Sequence, residues 1–252
     1  MARRDLHTPR LYVDAPLQEG STVALDPSQG NHLTNVLRLK SGDSVLVFNG
    51  RDGGWRASLA PVGKGRLAVA VGSRVRPQER PGDLHYLFAP LKHARLDFMA
   101  QKAVEMGASR LQPVLTRYVQ VARVNLHRMR ANAIEAAQQC GILTLPDIRA
   151  PVGLDRMIAE RDPDRILVFC DEDAAVKDPV AALSTALPAR RAGTLPIAVL
   201  VGPEGGFAAD EREALCRLPN TVRLSLGPRI LRADTAAVAA LALVEAVLGD
   251  WR

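Results

Sequence analysis

Two apolar runs, each ended by a Gly-Pro pair, constrain the fold of this chain more than any other feature. The first is Ile197–Val201, which precedes Gly202-Pro203, and the second is its shorter echo from Leu224, which precedes Gly227-Pro228. An aliphatic run of this length is typical of a strand that is buried on both faces of a parallel sheet. Each Gly-Pro pair predicts a sharp turn at the carboxyl end of its strand, where open α/β sheets bind ligands. We therefore expect the two turns to form two walls of one pocket.

From Leu84 onward, short apolar runs alternate with amphipathic segments. Strands are predicted at 84–91, 111–115 and 165–170, and helices at 96–106 and from Asn125, a suitable N-cap, to residue 139. Strands that alternate with helices predict a mostly parallel sheet with helices on both faces. The expected fold class of this part of the chain is α/β.

The N-terminal part has a different pattern of short strands and turns. Strands are predicted at 22–25, 44–48, 55–59 and 67–71, and Asn49-Gly50 is a strong hairpin signal. Closely spaced short strands favour a small β-barrel. A polar segment with two prolines follows at 73–83. We therefore predict two domains, 1–75 and 76–252.

Composition limits the classes of function. The chain has 252 residues, 47% of them apolar, a formal net charge of +6 and a pI near 9.6. The positive charge is compatible with a polyanionic partner, although a basic enzyme without a nucleic-acid role would have the same excess. No apolar run has the length of a membrane span and no signal segment is recognisable, so we expect a cytoplasmic protein without a membrane partner. The spacing of the cysteines and histidines predicts no metal site.

The glycine-rich turn at 202–206 lacks the spacing of known nucleotide motifs. It is neither Gly-x-Gly-x-x-Gly nor a P-loop, because no Lys-Ser or Lys-Thr follows. This argues against a nicotinamide-dependent oxidoreductase and against a nucleoside-triphosphate site. Glycine does allow the backbone to approach a ligand closely. A tight turn without a ligand would explain one such turn, but two after two buried strands favour a pocket.

Charged residues flank the second turn. Arg229 and Arg232 can be surface residues paired with Glu204 or Asp234, or they can face a polyanionic substrate or a developing negative charge. Asp234 also suits the first turn of the helix predicted after it. The sequence leaves these alternatives open.

The two turns and their flanks resemble the signatures of a known family. Leu200-Val-Gly-Pro-Glu-Gly-Gly-Phe-Ala-Ala-Asp-Glu211 and Leu224-Ser-Leu-Gly-Pro-Arg-Ile-Leu-Arg-Ala-Asp-Thr-Ala236 are similar to motifs of the SPOUT methyltransferases. More narrowly, the chain resembles the ribosomal small subunit methyltransferase E family, the 16S rRNA (uracil-N3)-methyltransferases. Segments 32–38, 95–107 and 138–141 add to this likeness, which covers nearly the whole chain.

This resemblance implies an N-terminal PUA-like β-barrel that binds RNA and a C-terminal domain with a deep trefoil knot, within about residues 165–240. It also implies S-adenosyl-L-methionine as cofactor, a homodimer, and 16S rRNA or the small ribosomal subunit as substrate. Carried onto this chain, the cofactor-binding residues are Phe169, Cys170, Leu200, Val201, Gly202, Pro203, Glu204, Gly205, Gly206, Leu224, Leu226, Gly227, Ile230 and Leu231.

Catalytic roles follow from the chemistry that the resemblance implies. Uracil N3 becomes a good nucleophile as its proton leaves, and a nearby arginine would stabilise the charge that spreads to the flanking carbonyls. Arg232 is the first candidate and Arg229 the second. Glu204 and Asp234 are candidates for the general base, although either can be structural. On the barrel, phosphate contacts are expected from Arg38, Lys40, Arg51 and Arg56.

The chain departs from the family pattern at two places. Asp234 stands where glutamate is usual, and Ile142-Leu143 stands where a basic residue is usual. The second departure weakens any role of that loop in gripping RNA. Three alternatives remain: an RNA-binding protein without activity, a nicotinamide-dependent oxidoreductase, and a SPOUT enzyme that methylates another RNA or a ribose hydroxyl.

Overall fold

A computed structural model describes residues 8–63, 65–186 and 195–251. The chain divides into two compact units. The first comprises the residues up to Arg80 together with Ala137–Leu145, and the second comprises Pro81–Ala136 and the residues from Pro146 onward. Across the described ranges, no helix combines the length and the apolar character that crossing a bilayer requires.

The first unit is built on a five-stranded sheet. Its elements are β1 (Arg10–Tyr12), β2 (Thr22–Ala24), α1 (Pro27–Asn31), which continues into a π-helical turn (His32–Val36), β3 (Ser44–Phe48), β4 (Gly54–Pro61) and β5 (Leu67–Arg76). The strand order is β1-β3-β4-β5-β2, and only the pairing of β1 with β3 is parallel. The four predicted strands are confirmed, and β1 is an addition that the sequence analysis missed.

Alternating side chains of these strands form the core of the first unit. Val45 and Val47 point to the same side of β3, as the two-residue period of a strand requires, and both are buried. They pack with Leu59 of β4, Val69 of β5 and Leu33 of the π-helical turn. The turn therefore closes one side of the sheet.

The segment 137–145 belongs to the first unit, although the sequence analysis assigned it to the second domain. Gln138 Oε1 accepts the backbone N–H of Tyr12 at 2.8 Å, and Arg76 Nη1 donates to the carbonyl of Gly141 at 2.6 Å. Leu143 is buried, and its Cδ2 would lie 3.3 Å from a Cβ placed on Gly54. Leu143, one of the two residues that depart from the family pattern, is thus a packing residue.

The second unit alternates strands and helices. Its elements are β6 (Leu84–Phe88), α2 (His93–Glu105), β7 (Arg110–Leu115), α3 (Leu126–Cys140), β8 (Asp147–Ile148), β9 (Val152–Gly153), α4 (Leu154–Glu160), β10 (Ile166–Cys170), α5 (Pro179–Ser184), β11 (Ile197–Val201), α6 (Ala209–Cys216), β12 (Thr221–Leu224) and α7 (Ala233–Val247). The sheet order is β12-β10-β11-β6-β7-β8, β9 also pairs with β7, and every pairing is parallel.

Helices cover both faces of this sheet. On one face the hydroxyl of Tyr86 in β6 donates to Met99 Sδ in α2 at 2.9 Å, and α7 packs against both α2 and β11. On the other face Leu200 of β11 packs with Met157 of α4 and Leu215 of α6. The predicted α/β class is confirmed. The trefoil knot stays a prediction, and part of its stretch lies outside the described residues.

The strand order brings three loops together. Since β10 lies between β11 and β12 and all three are parallel, their carboxyl ends meet at one edge of the sheet. The loops that follow Cys170, Val201 and Leu224 leave the sheet there side by side.

The connection between β3 and β4 provides a test of the first unit. Gly53 and Gly50 have nearly equal positive φ angles, 88° and 87°, but a Cβ on Gly53 would lie 2.4 Å from the Arg76 carbonyl oxygen whereas one on Gly50 would meet nothing within 4 Å. Gly50→Ala should cost only the left-handed penalty, roughly 1–2 kcal/mol. Gly53→Ala should cost about 1–3 kcal/mol more because backbone must move. Thermal unfolding followed by circular dichroism should show this order, and equal melting temperatures would contradict it.

Candidate functional site

A cavity of about 200 Å³ lies where the three loops meet, at the carboxyl ends of β10, β11 and β12. The lining combines glycine backbone, aliphatic side chains and several charged groups. It comprises Cys170, Asp171, Glu172, Asp173, Val201, Gly202, Pro203, Glu204, Gly205, Gly206, Phe207, Arg212, Leu224, Leu226, Gly227, Arg229, Ile230, Leu231, Ala233 and Ala236. The structure thus brings the two predicted turns to one cavity, with a third wall from the end of β10.

Most of the predicted cofactor-binding residues line this cavity. Two do not: Phe169 and Leu200 are fully buried in the core beneath it. Cys170 does line it, and burial raises the pKa of its thiol to about 12. The thiol is therefore protonated at neutral pH, which makes it a poor nucleophile.

Gly202 owes its identity to an aromatic ring. A Cβ at this position would lie 2.5 Å from Phe207 Cε2, closer than any side chain allows. The Phe207 ring is held in turn by an edge-on contact with Phe169, with 5.1 Å between the ring centroids. The first Gly-Pro turn therefore folds back over its own phenylalanine, and this packing fixes the course of its backbone along the cavity.

Asp171, at the tip of β10, is a buried acid that binds two arginines. Its side chain is 3% exposed, and it lies 3.0 Å from Arg212 Nε of α6 and 2.7 Å from Arg223 Nε of β12. Burial alone would raise the pKa of Asp171, but hydrogen bonds from the two guanidinium groups outweigh burial and lower it. This ionised carboxylate connects α6 and β12 to the carboxyl end of β10.

Arg95 of α2 connects the other two walls. Its Nε and Nη2 donate to the carboxylate of Asp234 at 3.0 and 3.1 Å, and its Nη1 donates to Glu204 Oε1 at 2.5 Å. The bond to Arg95 is the largest cause of the lowered pKa of Asp234. The sequence analysis considered Arg229 or Arg232 as the partner of these two acids, but the partner is Arg95. Asp234, with glutamate's charge on a shorter side chain, still reaches it in a bidentate ion pair.

The two candidate catalytic arginines lie on the second turn and differ in position. Arg229 lines the cavity, whereas Arg232 is exposed at the residue that precedes α7 and is not part of the lining. Neither guanidinium has a hydrogen-bond or ion-pair partner within the described ranges. Both are thus available to an incoming group. Between them, Ile230 is 91% exposed.

The predicted RNA-contacting residues lie in the first unit. Arg38, with a positive φ of 58°, and Lys40 are exposed after the π-helical turn. Arg51 Nη1 lies 3.8 Å from an Asp14 oxygen, and Arg56 Nη1 donates to Ser44 Oγ at 3.4 Å. Among the residues that the structure describes, Arg38 and Lys40 form no ion pair, and their contact with RNA stays a prediction.

Comparison with known proteins identifies the family. Residues 78–245 match the family described as RNA methyltransferase domain, and residues 25–71 match the RNA methyltransferase PUA domain. The chain is 31% identical to the ribosomal RNA small subunit methyltransferase E of Rickettsia conorii over 93% of this chain and 94% of the relative. The chain belongs to the ribosomal RNA small subunit methyltransferase E family. It is therefore an RNA methyltransferase with a PUA domain, and the resemblance recognised from its motifs is confirmed.

Solved structures of ribosomal RNA small subunit methyltransferase E and a related protein show the same fold. The Neisseria gonorrhoeae enzyme, solved bound to S-adenosyl methionine, is 28% identical with a TM-score of 0.83, covering 98% of this chain and all of that one. A putative methyltransferase of Legionella pneumophila, solved with the bound cofactor, is 29% identical with a TM-score of 0.80, covering 95% and 98%.

Three groups that organise this cavity were missed in the sequence analysis. They are Asp171, Arg95 and Phe207, whose partners Arg212, Asp234 and Phe169 lie 41, 139 and 38 positions away in the chain. No local sequence pattern predicts contacts over such separations. One signal was present: Asp171-Glu-Asp173 directly follows a buried strand, and an acid at that position faces the ligand edge of the sheet.

The Asp171 cluster yields a test. Asp171→Asn removes the charge that both arginines share and should destabilise the protein by up to about 3 kcal/mol, since Arg212 and Arg223 keep partial access to water. Asp173→Asn is the matched control, because that side chain is 73% exposed and its contact with Arg212 Nε is long, at 3.9 Å. This substitution should cost less than about 0.5 kcal/mol. Urea unfolding at pH 7 measures both.

The same pair of variants has a pH signature. The folded-state pKa of Asp171 is below its ordinary value of 3.8, so its contribution is complete above that pH and is lost as pH falls through the folded value. The stability gap between the unsubstituted protein and Asp171→Asn should therefore shrink below about pH 4. A gap that stays constant down to pH 2 would contradict the ionised cluster.

Proposed function

We propose that this chain transfers the methyl group of S-adenosyl-L-methionine to N3 of a uridine in 16S rRNA of the small ribosomal subunit. The observation that carries the proposal is the three-walled cavity, in a chain whose relatives are small subunit methyltransferases and whose structural neighbours hold this cofactor. The cofactor supplies a methyl group on a positively charged sulfur, and the chain must bind and orient it.

The residues present fit that cofactor. The glycine backbone at 202–206 allows the close approach on which hydrogen bonds to an adenine edge depend. Leu224, Leu226 and Ala236 provide apolar contact for a ring. The carboxylates of Glu172 and Asp173 line the same space, and their charge favours a cationic ligand.

The arginines of the second turn act on the nucleobase. As the N3 proton of uracil leaves, negative charge spreads over the flanking carbonyl oxygens, and a preorganised cation lowers the energy of that state. Arg232 and Arg229 have no ion-pair partner in the described part of the chain, whereas Arg95 and Arg212 are each engaged by carboxylates. Arg95 already binds Glu204, so the first role of Glu204 is structural. It can act as the general base only when its ion pair with Arg95 is broken.

The remaining parts of the proposal concern assembly and RNA capture. The exposed Ile230 on the cavity rim fits a surface that a second copy covers, in support of a homodimer. Arg38, Lys40, Arg51 and Arg56 would hold the RNA backbone by phosphate contacts. The target base must be unstacked to reach the cavity. The cytoplasm, where ribosomal subunits are made, is the expected compartment.

Arg232→Ala tests the catalytic role. Turnover should fall about 100- to 1,000-fold, as for loss of one transition-state donor, while cofactor affinity measured by calorimetry stays within about twofold. Arg217→Ala is the matched control, since Arg217 is an exposed arginine of the same unit that pairs with Glu213 and does not line the cavity. Loss of cofactor affinity with unchanged turnover at saturation would overturn the role.

The reaction itself is tested on the RNA product. Small-subunit RNA from cells without this protein, incubated with the pure protein and cofactor, should gain one methylated uridine with the mass and retention of 3-methyluridine. Digestion and mass spectrometry of the nucleosides would detect it. A ribose-methylated nucleoside, a methylated base other than uracil, or no product would contradict the proposal.

A further inference from the structure

A second cavity, of about 270 Å³, lies on the second unit at the other end of the sheet from the cofactor cavity. It opens near the amino ends of β6, β7, β10 and β11 and is covered in part by α4. We call it the arginine cavity, because its lining includes Arg110, Arg149, Arg161 and Arg165. Methyl transfer at the carboxyl ends of the strands does not use it.

Three of these arginines are fixed by carboxylates that lie outside the lining. Arg110 Nε and Arg149 Nε are 3.1 and 2.7 Å from the same oxygen of Asp147. Arg165 Nη1 is 2.8 Å from Asp83 and also donates to the carbonyl of Ile197. Because two guanidinium groups share one carboxylate, the cluster keeps an excess of positive charge on its cavity side.

Arg161 has no carboxylate partner in the part of the chain that the structure describes. Its Nη2 donates to the carbonyl oxygens of Arg165 and Pro219, each at 3.0 Å. Burial is the main cause of a lowered pKa of its guanidinium. Main-chain carbonyls orient this group, and Asp162 attracts it without binding it directly, so an anion in the cavity can form the charged pair that Arg161 does not make within the described residues.

His85 also lines the arginine cavity. Its pKa is lowered to about 4, first by burial and then by Arg165 and Arg110, whose effects exceed the opposing effects of Asp83 and Asp147. The imidazole is therefore neutral at pH 7. Its Nε2 lies 3.4 Å from Asp83 Oδ1, so the carboxylate that pairs with Arg165 also faces this ring.

The floor of the cavity is apolar, and two acids, Glu160 and Asp162, lie on its rim. Leu87, Met157, Leu167 and Ala198 form the floor. Glu160 on the rim is held by Arg156, which lies outside the cavity. Asp162, also on the rim, accepts the backbone N–H of Asp164 at 2.9 Å. The lining therefore combines an apolar floor with an edge on which four arginines outnumber two acids.

We propose that the arginine cavity is a second ligand site, which binds a phosphate-bearing nucleotide with its phosphate among Arg110, Arg149 and Arg161 and its base on the apolar floor. Guanidinium groups match phosphate oxygens in planar, charge-assisted pairs, and an aliphatic floor suits the face of a base. The nucleotide is either a free one or part of an RNA strand, since the two offer the same chemistry.

Calorimetric titration of the full chain, saturated with S-adenosyl-L-methionine to block the first cavity, tests the proposal. GMP should bind, and guanosine and inorganic phosphate should each bind at least about tenfold more weakly, because each lacks one half of the ligand. A short RNA that binds where GMP does not would assign the site to an RNA strand. Equal binding of phosphate and GMP, or no binding of GMP or RNA, would overturn the nucleotide site.

Variants locate the binding. Arg149→Ala and Arg110→Ala should each weaken binding of the ligand that the titration identifies by about tenfold or more, through loss of a charged hydrogen bond. Arg128→Ala is the matched control and should leave the affinity unchanged, because Arg128 is an exposed arginine of the same unit that pairs with Asp97 and lies outside the lining. If Arg110→Ala fails to fold, Arg149→Ala alone tests the site, because the side chain of Arg149 is 52% exposed and its loss should not prevent folding. Affinity that is insensitive to Arg149→Ala would place the ligand elsewhere and reject the proposal.

Discussion

The parallel pairing of β10 with both β11 and β12 is the constraint on which the site depends. Three strands that run in the same direction must release their chains at the same edge, so the loops after Cys170, Val201 and Leu224 cannot avoid one another. Each strand is buried between helices and has almost no freedom to shift register. The position of the cavity thus follows from the strand order, and the conformations of the three loops determine its shape.

Electrostatic contacts hold those loops in place and divide the arginines into two kinds. Asp171 binds Arg212 and Arg223, and Arg95 binds Asp234 and Glu204, so that α2, α6, α7 and β12 are all connected at the edge of the cavity. Breaking such partly buried pairs is costly because the remaining charge is left without a partner. Arginines already engaged in this way hold the loops together, and we propose that those of the second turn act on the substrate.

The loop that follows α3, where the sequence departs from the family pattern, packs into the first unit. Leu143 stands where a basic residue is usual, and it packs against Gly54 while Gly141 accepts a hydrogen bond from Arg76. The end of α3 therefore completes the first unit although it lies far along the chain. In this chain the loop therefore contributes packing to the first unit.

Periodicity and turn chemistry were sufficient to predict most of the fold. The two-residue period of β3, the apolar run of β11 and the Gly-Pro pairs act over a few neighbouring residues, so the strands, the α/β class and the two turns of the cavity could be read directly. The family motifs at 200–211 and 224–236 added the activity, because each can be recognised within a few neighbouring residues. Tertiary structure alone decided the rest: which acid meets Arg95, that Phe207 covers Gly202, that Phe169 and Leu200 lie beneath the cavity, and that 137–145 joins the first unit. These contacts join residues far apart in the chain, and only the path of the backbone brings them within reach of one another.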